Sequence, residues 1–511
     1  MQRRASKSVA IVGAGMGGLA AAIRLASSGF AVDVFEKNAS TGGRMNRLET
    51  AEGFTFDTGP SLLLMTDTYR KLFRDAGREL TDYVELVPLD GDYRVEFGDG
   101  DSLTIRRTLP ELIKELERIE PGVTPRFYRF LEDACHKYRL GRSEFVERDF
   151  DTAADFFSLR NLKLLWKTQA TRNYYKSVSR YFHTDKLRQA FSLQTMYLGL
   201  SPFDAPAVYS LLPYTEMAED GLWFPRGGMY TLVEAFERLA GELGVNIHLD
   251  SPVDEVLVEK DRATGVRVNG ENHYADAVLA NADLPYVYRS LLPKAAEKDF
   301  AVPRKKRAGL EYTASAYMLY LGIEGELDHL KHHNFFLSGE YRENFEAIFD
   351  EGRLPDDPSF YAVAPSRTER SMAPEGSDAL FVLVPVPHLQ QGKVDWEREG
   401  PAFKEKVYDL LERRAGVENI RGRILHETVK TPRDWLSDYN LEEGAAFGLG
   451  HGIFQVGYFR PPIASPSIGG MYFVGASTRP GTGVPLVVIG AELAAERIER
   501  EIGSIAGGRA W

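Results

Sequence analysis

Apolar runs and glycine-rich breaks alternate along the first forty positions. Val9, Ala10, Ile11 and Val12 form an apolar run that ends abruptly in Gly13-Ala14-Gly15-Met16-Gly17-Gly18, and a small-residue stretch from Leu19 to Ser28 follows. Gly29 breaks that stretch, a second largely apolar run goes from Ala31 to Phe35, and Glu36 closes it. The pattern predicts strand, glycine turn, helix, strand and acid. Phe54-Thr55-Phe56-Asp57-Thr58 then alternates apolar and polar side chains before breaking at Gly59-Pro60-Ser61, as a strand entering a turn does. The stretch from Leu86 to Ile105 predicts paired strands about a Gly98-Asp99-Gly100-Asp101 turn.

From Leu109 to Tyr230 the pattern becomes mainly helical, with heavily charged amphipathic stretches such as Glu111 to Glu120. Gly221-Leu222-Trp223-Phe224-Pro225-Arg226-Gly227-Gly228-Met229 ends this region and introduces a helix from Tyr230 to Leu243. A strand from Val245 to Leu249 follows, then a hairpin of Val253 to Val258 and Gly265 to Val268 with Asp261 to Thr264 between them. Ala275 to Ala280 is a further strand, ending at Asn281-Ala282-Asp283. The runs from Tyr312 to Ile323 and from Ala379 to Val386 suggest a second sheet. Met471 to Val474 is a strand running into Gly475-Ala476-Ser477-Thr478-Arg479-Pro480-Gly481-Thr482-Gly483-Val484-Pro485, followed by a helix from about Leu486 to Glu501. No repeat or long linker separates these blocks, so the domains are interleaved through the chain.

The first turn has the chemistry of a dinucleotide site. Gly13 allows the tight turn, Gly15 lets backbone approach a pyrophosphate, and Gly18 lets helix and strand pack closely. The helix N-terminus offers free N–H groups and the positive end of its dipole. Glu36 stands where it would accept hydrogen bonds from ribose hydroxyls and repel a 2′-phosphate, which disfavours NADP. Glycines also gather in ordinary packing turns; the placement between two strands, with the acid at the right distance, favours the nucleotide. Arg44, in the Lys37-Asn38-Ala39-Ser40-Thr41-Gly42-Gly43-Arg44 loop, is placed to meet phosphate oxygens or is a solvated surface arginine. A simple NAD dehydrogenase has no need of the second glycine turn near the end of the chain. A flavin dinucleotide, long and bound in extended form, does.

Composition narrows the partners. The 511 residues, 43% hydrophobic and 27% charged, predict a folded protein with a sizeable core, and a net charge of −12 argues against nucleic acid. One cysteine, Cys135, permits no intrachain disulfide or multi-thiolate metal site, which fits a reducing compartment. The ten histidines show no metal-site spacing, and the adjacent His332-His333 pair is read as solvated. The first residues, Met1-Gln2-Arg3-Arg4, leave no room for a signal peptide before the first strand, and no early apolar run is long enough to span a membrane. Against the acidic whole, Phe156 to Thr184 holds no acidic residue: Arg160, Lys163, Lys167, Arg172, Lys176 and Arg180 are interleaved with leucines and aromatics. This stretch is either a helix lying in an anionic membrane surface or an amphipathic helix whose apolar stripe is core.

The opening GAGMGG with Glu36 and GGR, the central GLWFPRGGM and the closing YFVGASTRPGTGVP together resemble the bacterial and fungal type of phytoene desaturase, within the amine oxidase-like FAD superfamily. The resemblance runs in order over nearly the whole chain. It implies an α/β protein in which a Rossmann-type FAD domain (residues 1–75, 226–290 and 466–511) is interleaved with a mixed-sheet substrate domain (76–108 and 291–465) and a helical, membrane-contacting insert (109–225). Carried over by position, Gly13, Gly15 and Gly18 hold the pyrophosphate, Glu36 the ribose, and Gly43 and Arg44 the phosphates. Gly59, Pro60 and Ser61 lie beside the flavin, Val253 meets adenine through its backbone, and Gly475, Gly483 and Val484 lie at the pyrophosphate and isoalloxazine end. Gly17 and Lys37 complete the cofactor-binding set, with no metal ligand and no assigned catalytic residue. The implied protein is cytoplasmic and peripherally membrane-associated, takes a lipid-soluble polyene, and passes electrons to oxygen or a quinone.

The implied reaction is hydride transfer from an allylic carbon of phytoene to the flavin, with loss of a proton from the adjacent carbon, giving more conjugated carotenes such as lycopene. Trp223, Phe224 and Tyr230 are candidates to stabilise a transient allylic cation through their π faces, against a reading of them as core packing. Many relatives have histidine where Arg479 stands; its guanidinium either stabilises an anionic reduced ring or turns away into an ion pair. The rival readings are a C30 diapophytoene desaturase, another enzyme of the superfamily such as a ketolase, a retinoid saturase or an amine oxidase, a non-redox carotenoid isomerase, and a prenyl-lipid-binding protein of the same fold.

Overall fold

Period-two alternation in the first strand sets up the layering of the nucleotide half. Val9 and Ile11 point to one face and Ala10 and Val12 to the other, and all four are buried, so Ser8–Val12 is an interior strand. The computed structural model describes residues 7–89, 93–150, 152–169, 172–299, 310–452 and 455–503. In it Ser8–Val12 is the centre of a five-stranded parallel sheet ordered Met471–Phe473, Ala277–Ala280, Ser8–Val12, Ala31–Phe35, Asn246–His248. Helices Met16–Ser27, Tyr230–Glu242 and Val484–Ile502 cover the Val9 and Ile11 face. The antiparallel meander Val253–Glu259, Arg262–Val268, Glu271–Tyr274 covers the Ala10 and Val12 face. Three stretches remote in sequence thus complete one sheet.

Two of the boundaries that differ from the sequence reading do so for a clear local reason. The first helix begins at Met16 rather than Leu19, because Gly15 is its extended N-cap, and Gly17 and Gly18 therefore lie in the first turn. In the hairpin the turn is only Lys260-Asp261, both left-handed at φ 49° and 57°, which lets the strands run on to Glu259 and from Arg262.

The second sheet has seven strands, ordered Ile424–Lys430, Ser315–Glu324, Ser377–Val386, Phe360–Val363, His333–Phe336, Tyr93–Glu96, Ser102–Ile105. All pairs are antiparallel except His333–Phe336 with Tyr93–Glu96. Alternation again divides its faces. Tyr317, Leu319, Leu321, Val382 and Val384 pack under the helix Trp396–Arg413, whereas Ala316, Met318, Phe381 and Leu383 look into the central cavity. Buried on both sides, these strands show near-continuous apolar runs, which is why they were legible as strands.

Between the halves lies the helical region, with Leu109–Ile119 and Thr124–Gly141 its longest helices. Its core is aromatic: Phe182 stacks on Phe191 at 4.4 Å between centroids, beside Phe127 and Phe130. The acid-free stretch divides between the two readings given above. Phe156, Tyr174 and Phe182 are buried, while Phe157 and Leu159 remain exposed; the side chains of Leu162 and Trp166 lie outside the described set. Among the described residues no helix is long and apolar enough to cross a membrane.

Candidate functional site

A large cavity, about 940 Å³ in volume, runs from the first glycine turn to the helical region. At one end Gly13, Gly15, Gly17, Glu36 and Val253 line it; at the other Phe145, Phe156, Phe157, Leu165 and Phe459 do. The walls between are mostly apolar, as a cavity for an organic ligand requires.

The glycine end is a cradle from which side chains are excluded by distance. A Cβ at Gly13 would lie 2.7 Å from the Asn281 carbonyl oxygen, one at Gly17 2.7 Å from Asn281 Oδ1, and one at Gly18 2.1 Å from the Gly13 carbonyl oxygen. The helix above it has no side-chain N-cap hydrogen bond and no acid in its first turn, so its N–H groups and dipole face the cavity unopposed. The N-terminus of Val484–Ile502 repeats this arrangement, with Gly483 as N-cap at φ 119° and Pro485 in the first turn. Two helix N-termini thus meet one cavity, which suits a ligand with paired phosphates. Glu36 is buried and held in register: Oε2 accepts from Ala14 N at 2.8 Å and Oε1 from Asn38 N at 3.0 Å. Each oxygen keeps a lone pair for a ligand hydroxyl.

Buried charges position the loop after Phe473. Arg460 is fully enclosed and donates to the carbonyl oxygens of Thr478 (2.9 Å), Gln455 (3.0 Å), Gly450 (3.1 Å), Leu449 (3.4 Å) and Ala476. Desolvation holds its pKa down to about 10, so it remains cationic at neutral pH. Asp283 Oδ1 accepts from the Ser477 hydroxyl and Oδ2 from Glu442 N at 2.9 Å. Burial raises the Asp283 carboxyl, and the Ser477 hydroxyl and nearby Arg44 oppose that rise. Arg44 donates to the Ala446 carbonyl at 2.8 Å, and burial lowers its pKa. Arg479 is turned into an ion pair: its guanidinium reaches Asp149 Oδ1 at 3.2 Å and the carbonyls of Phe150 and Tyr458 at 2.7 Å each, tying the loop to the helical region.

Polar atoms mark the middle of the cavity. Ser61 Oγ lies 3.0 Å from Tyr361 Oη, and Tyr361 Oη 2.7 Å from His333 Nδ1. The reading of His332 and His333 as solvated is therefore overturned. Both are buried, His333 on a strand of the mixed sheet and His332 just before it, and desolvation drives their pKa values down and keeps them neutral. Trp223, Phe224 and Tyr230 do not line the cavity either. Trp223 donates to the Asp220 carbonyl at 3.0 Å, Phe224 packs on the His332 ring, and Tyr230 lies under the Arg47 guanidinium, so all three belong to the core. Among the rings that do face the cavity are Tyr197, Phe335, Tyr361 and Phe381.

Of the residues predicted from the sequence, Lys37, Gly43, Arg44, Gly59, Pro60, Ser61, Gly475, Gly483 and Val484 also line this cavity. Gly18 does not; its place is the helix–strand contact behind the turn. Sequence reasoning missed Asn281, Asp283, His451 and Arg460. The first two were within reach of it, since they end the strand beside Ser8–Val12, where open parallel sheets bind ligands.

The model of the flavin-containing amine oxidoreductases matches residues 16–499. The chain belongs to that family. It is 45% identical over 493 residues, 96% of its length and 93% of the relative's, to a zeta-carotene-forming phytoene desaturase of Myxococcus xanthus. It is 38% identical over 499 residues, 97% of this chain and 99% of the other, to a 4,4′-diapophytoene desaturase (4,4′-diaponeurosporene-forming) of Staphylococcus haemolyticus. Within its family the chain is thus one of the carotenoid desaturases, an FAD-dependent oxidoreductase. Its fold is that of a putrescine oxidase structure (TM-score 0.62, 16% identity, 97% of this chain and 99% of the other). It is also that of a Rab GDI from Plasmodium falciparum (TM-score 0.52, 13% identity, 99% of each chain).

Proposed function

We propose that this protein desaturates phytoene, drawing it from a membrane surface into the apolar end of the cavity and oxidising it beside FAD bound at the glycine end. The observation that carries this reading is the continuity of one cavity between the two helix N-termini and a mouth of exposed aromatics. FAD, when bound, accepts hydride from carbon. The residues that hold it are Gly13, Gly15, Gly17, Gly43 and Arg44 at the phosphates, Glu36 and Lys37 at the ribose, and Val253 at adenine. Gly59, Pro60, Ser61, Gly475, Gly483 and Val484 lie toward the ring, and Gly18 sets the turn. The cradle at Gly13 and Gly17, too close to Asn281 for any side chain, fits such a ligand. The domain division at residues 75, 108, 225, 290 and 465 follows the same reading.

An anaerobic incubation of the liposome-bound, flavin-loaded protein with phytoene tests this. Flavin bleaching together with a growing visible polyene chromophore is the expected result. A response to the C30 diapophytoene alone would move the substrate to the shorter chain, as in the staphylococcal relatives. No response to either would overturn desaturation. Electrons then pass to oxygen or a quinone, which readmission of each in turn distinguishes.

The membrane contact rests on Phe157 and Phe459, which are 45% and 42% exposed while also lining the cavity, beside Leu159 at 80% and the basic Arg160, Lys163 and Lys167. Each ring inserted into lipid contributes on the order of 1–2 kcal/mol. Phe157→Glu with Phe459→Glu is expected to weaken binding to anionic vesicles at least about tenfold. Flavin content should stay unchanged, and co-sedimentation reads the effect.

A further inference from the structure

A buried carboxyl that no cofactor role accounts for stands behind the cavity wall. Glu216 is 7% exposed, and its Oε2 accepts from the Tyr93 hydroxyl at 3.0 Å, which in turn receives Gln194 Nε2 at 3.3 Å. Glu216 Oε1 is buried without a hydrogen-bond partner, and so is the hydroxyl of Tyr197. The two groups are near enough that each shifts the other's acidity. Tyr197 lines the main cavity; Glu216 does not. Instead Glu216 lines a second, small cavity of about 30 Å³, room for at least one water, whose other walls include Asp220, Arg106 and the exposed Arg107. Glu216 therefore stands between the cavity that holds substrate and a polar route to solvent.

Tyr197 is also close to the reacting end. The Ser61 turn hydrogen-bonds Tyr361, the Tyr361 ring stacks on Phe335 at 4.5 Å, and Phe335 lies 6.0 Å from the Tyr197 ring. Desaturation removes two hydrogens from adjacent carbons. One leaves with its electron pair to the flavin, the oxidant of the family's chemistry; the other must leave as a proton, and a hydrocarbon cavity offers few places for it.

We propose, resting on the desaturase reading above, that Tyr197 and Glu216 carry that proton out. The C–H bond next to the electron-deficient carbon breaks and its electron pair becomes the new π bond. The Tyr197 oxygen takes the proton while its own O–H proton passes to Glu216 Oε1, and Glu216 releases it through the small cavity past Arg107. The acidity of a carbon beside a developing cation makes a phenol backed by a carboxylate a sufficient base. Tyr197 is the catalytic residue; Glu216 acts through it.

Burial pushes the Glu216 carboxyl up to about 7, against the opposing hydrogen bond from the Tyr93 hydroxyl. The phenols of Tyr93, Tyr174, Tyr197 and Tyr361 face it, all held protonated, and Asp220, Arg106 and Arg107 face it across the small cavity. Glu216 is thus deprotonated, and competent, above neutral pH.

The test follows phytoene desaturation by the flavin-loaded protein from about pH 5 to about pH 9, beside the infrared band of protonated carboxyls. Wild-type kcat is expected to rise with pH through about 7, and Glu216→Gln and Tyr197→Phe to lower it roughly 10²-fold or more with a flat profile and little change in KM. Glu216→Asp should restore part of the rate and the slope. A carboxyl band lost near neutral pH in the wild type and missing from Glu216→Gln is expected without any turnover. Should Glu216→Gln not fold, Tyr197→Phe, which removes one oxygen, decides by itself. Wild-type rate and profile in Tyr197→Phe, or a band absent at neutral pH, overturns the proposal. Wild type inert to phytoene and its C30 analogue overturns the desaturase reading itself, a failure recognised in the wild type rather than in the variants.

Discussion

Gly18→Ala is expected to give a colourless protein. The new Cβ would sit 2.1 Å from the Gly13 carbonyl oxygen, a backbone atom that cannot rotate aside, so Met16–Ser27 must tilt away from the first strand. Overpacking of this kind costs about 1–3 kcal/mol in stability. The larger loss is at the cofactor, because on the placement proposed above the tilt removes the N–H groups of the turn from the phosphates. FAD affinity should fall roughly a hundredfold, about 3 kcal/mol. Gly241→Ala is the control. It lies in the helix Tyr230–Glu242 with open space around it, and alanine there should stabilise by about 0.5–1 kcal/mol. Flavin absorbance per protein and denaturant unfolding of the apoprotein separate the two effects.

Arg460→Met should be comparably severe, by a different route. Five carbonyl oxygens converge on this guanidinium, from Leu449, Gly450 and Gln455 and from the Ala476 to Thr478 loop. Methionine fills the volume but removes a donor from each of five carbonyls, of which only Gly450 keeps Gln455 Nε2 and Ala476 the Thr482 hydroxyl, so unfolding free energy should drop by about 3 kcal/mol and flavin be lost with the loop. Arg460→Lys should recover only part, since three donors on a point charge cannot serve five acceptors. Flavin retention and urea midpoints read both substitutions.

What the sequence made legible was periodic or local. The Val9 to Val12 run, its glycine break and Glu36 encode strand, turn and acid within thirty residues, and the structure brings them together as that spacing predicts. The second glycine turn was equally plain. The partners of these motifs were not. Asn281 reaches the first turn because Ala277–Ala280 pairs with Ser8–Val12, a register no local pattern specifies. Arg460 is an arginine in a glycine- and proline-rich loop, indistinguishable by composition from a solvated one until the carbonyls close around it. His333 was misread because a polar pair in sequence predicts exposure, whereas its strand lies between Phe360–Val363 and Tyr93–Glu96, inside a sheet. For the aromatic triplet Trp223, Phe224 and Tyr230 the core-packing reading holds and the cation-stabilising one does not. Large rings near a motif are first of all core, and the rings at the cavity come from strands and a short helix whose inward faces only the fold reveals.

Stitching one sheet from distant stretches has a cost during synthesis. Met471–Phe473 completes the pairing begun at Ser8–Val12, and Val484–Ile502 packs on Met16–Ser27. A nascent chain therefore cannot capture its cofactor until residue 502 has left the ribosome. At usual elongation rates that wait lasts from roughly half a minute to a minute and a half, during which the aromatic walls of the cavity stand open to water and to each other. On this topology flavin loading is a late event, following synthesis rather than accompanying it.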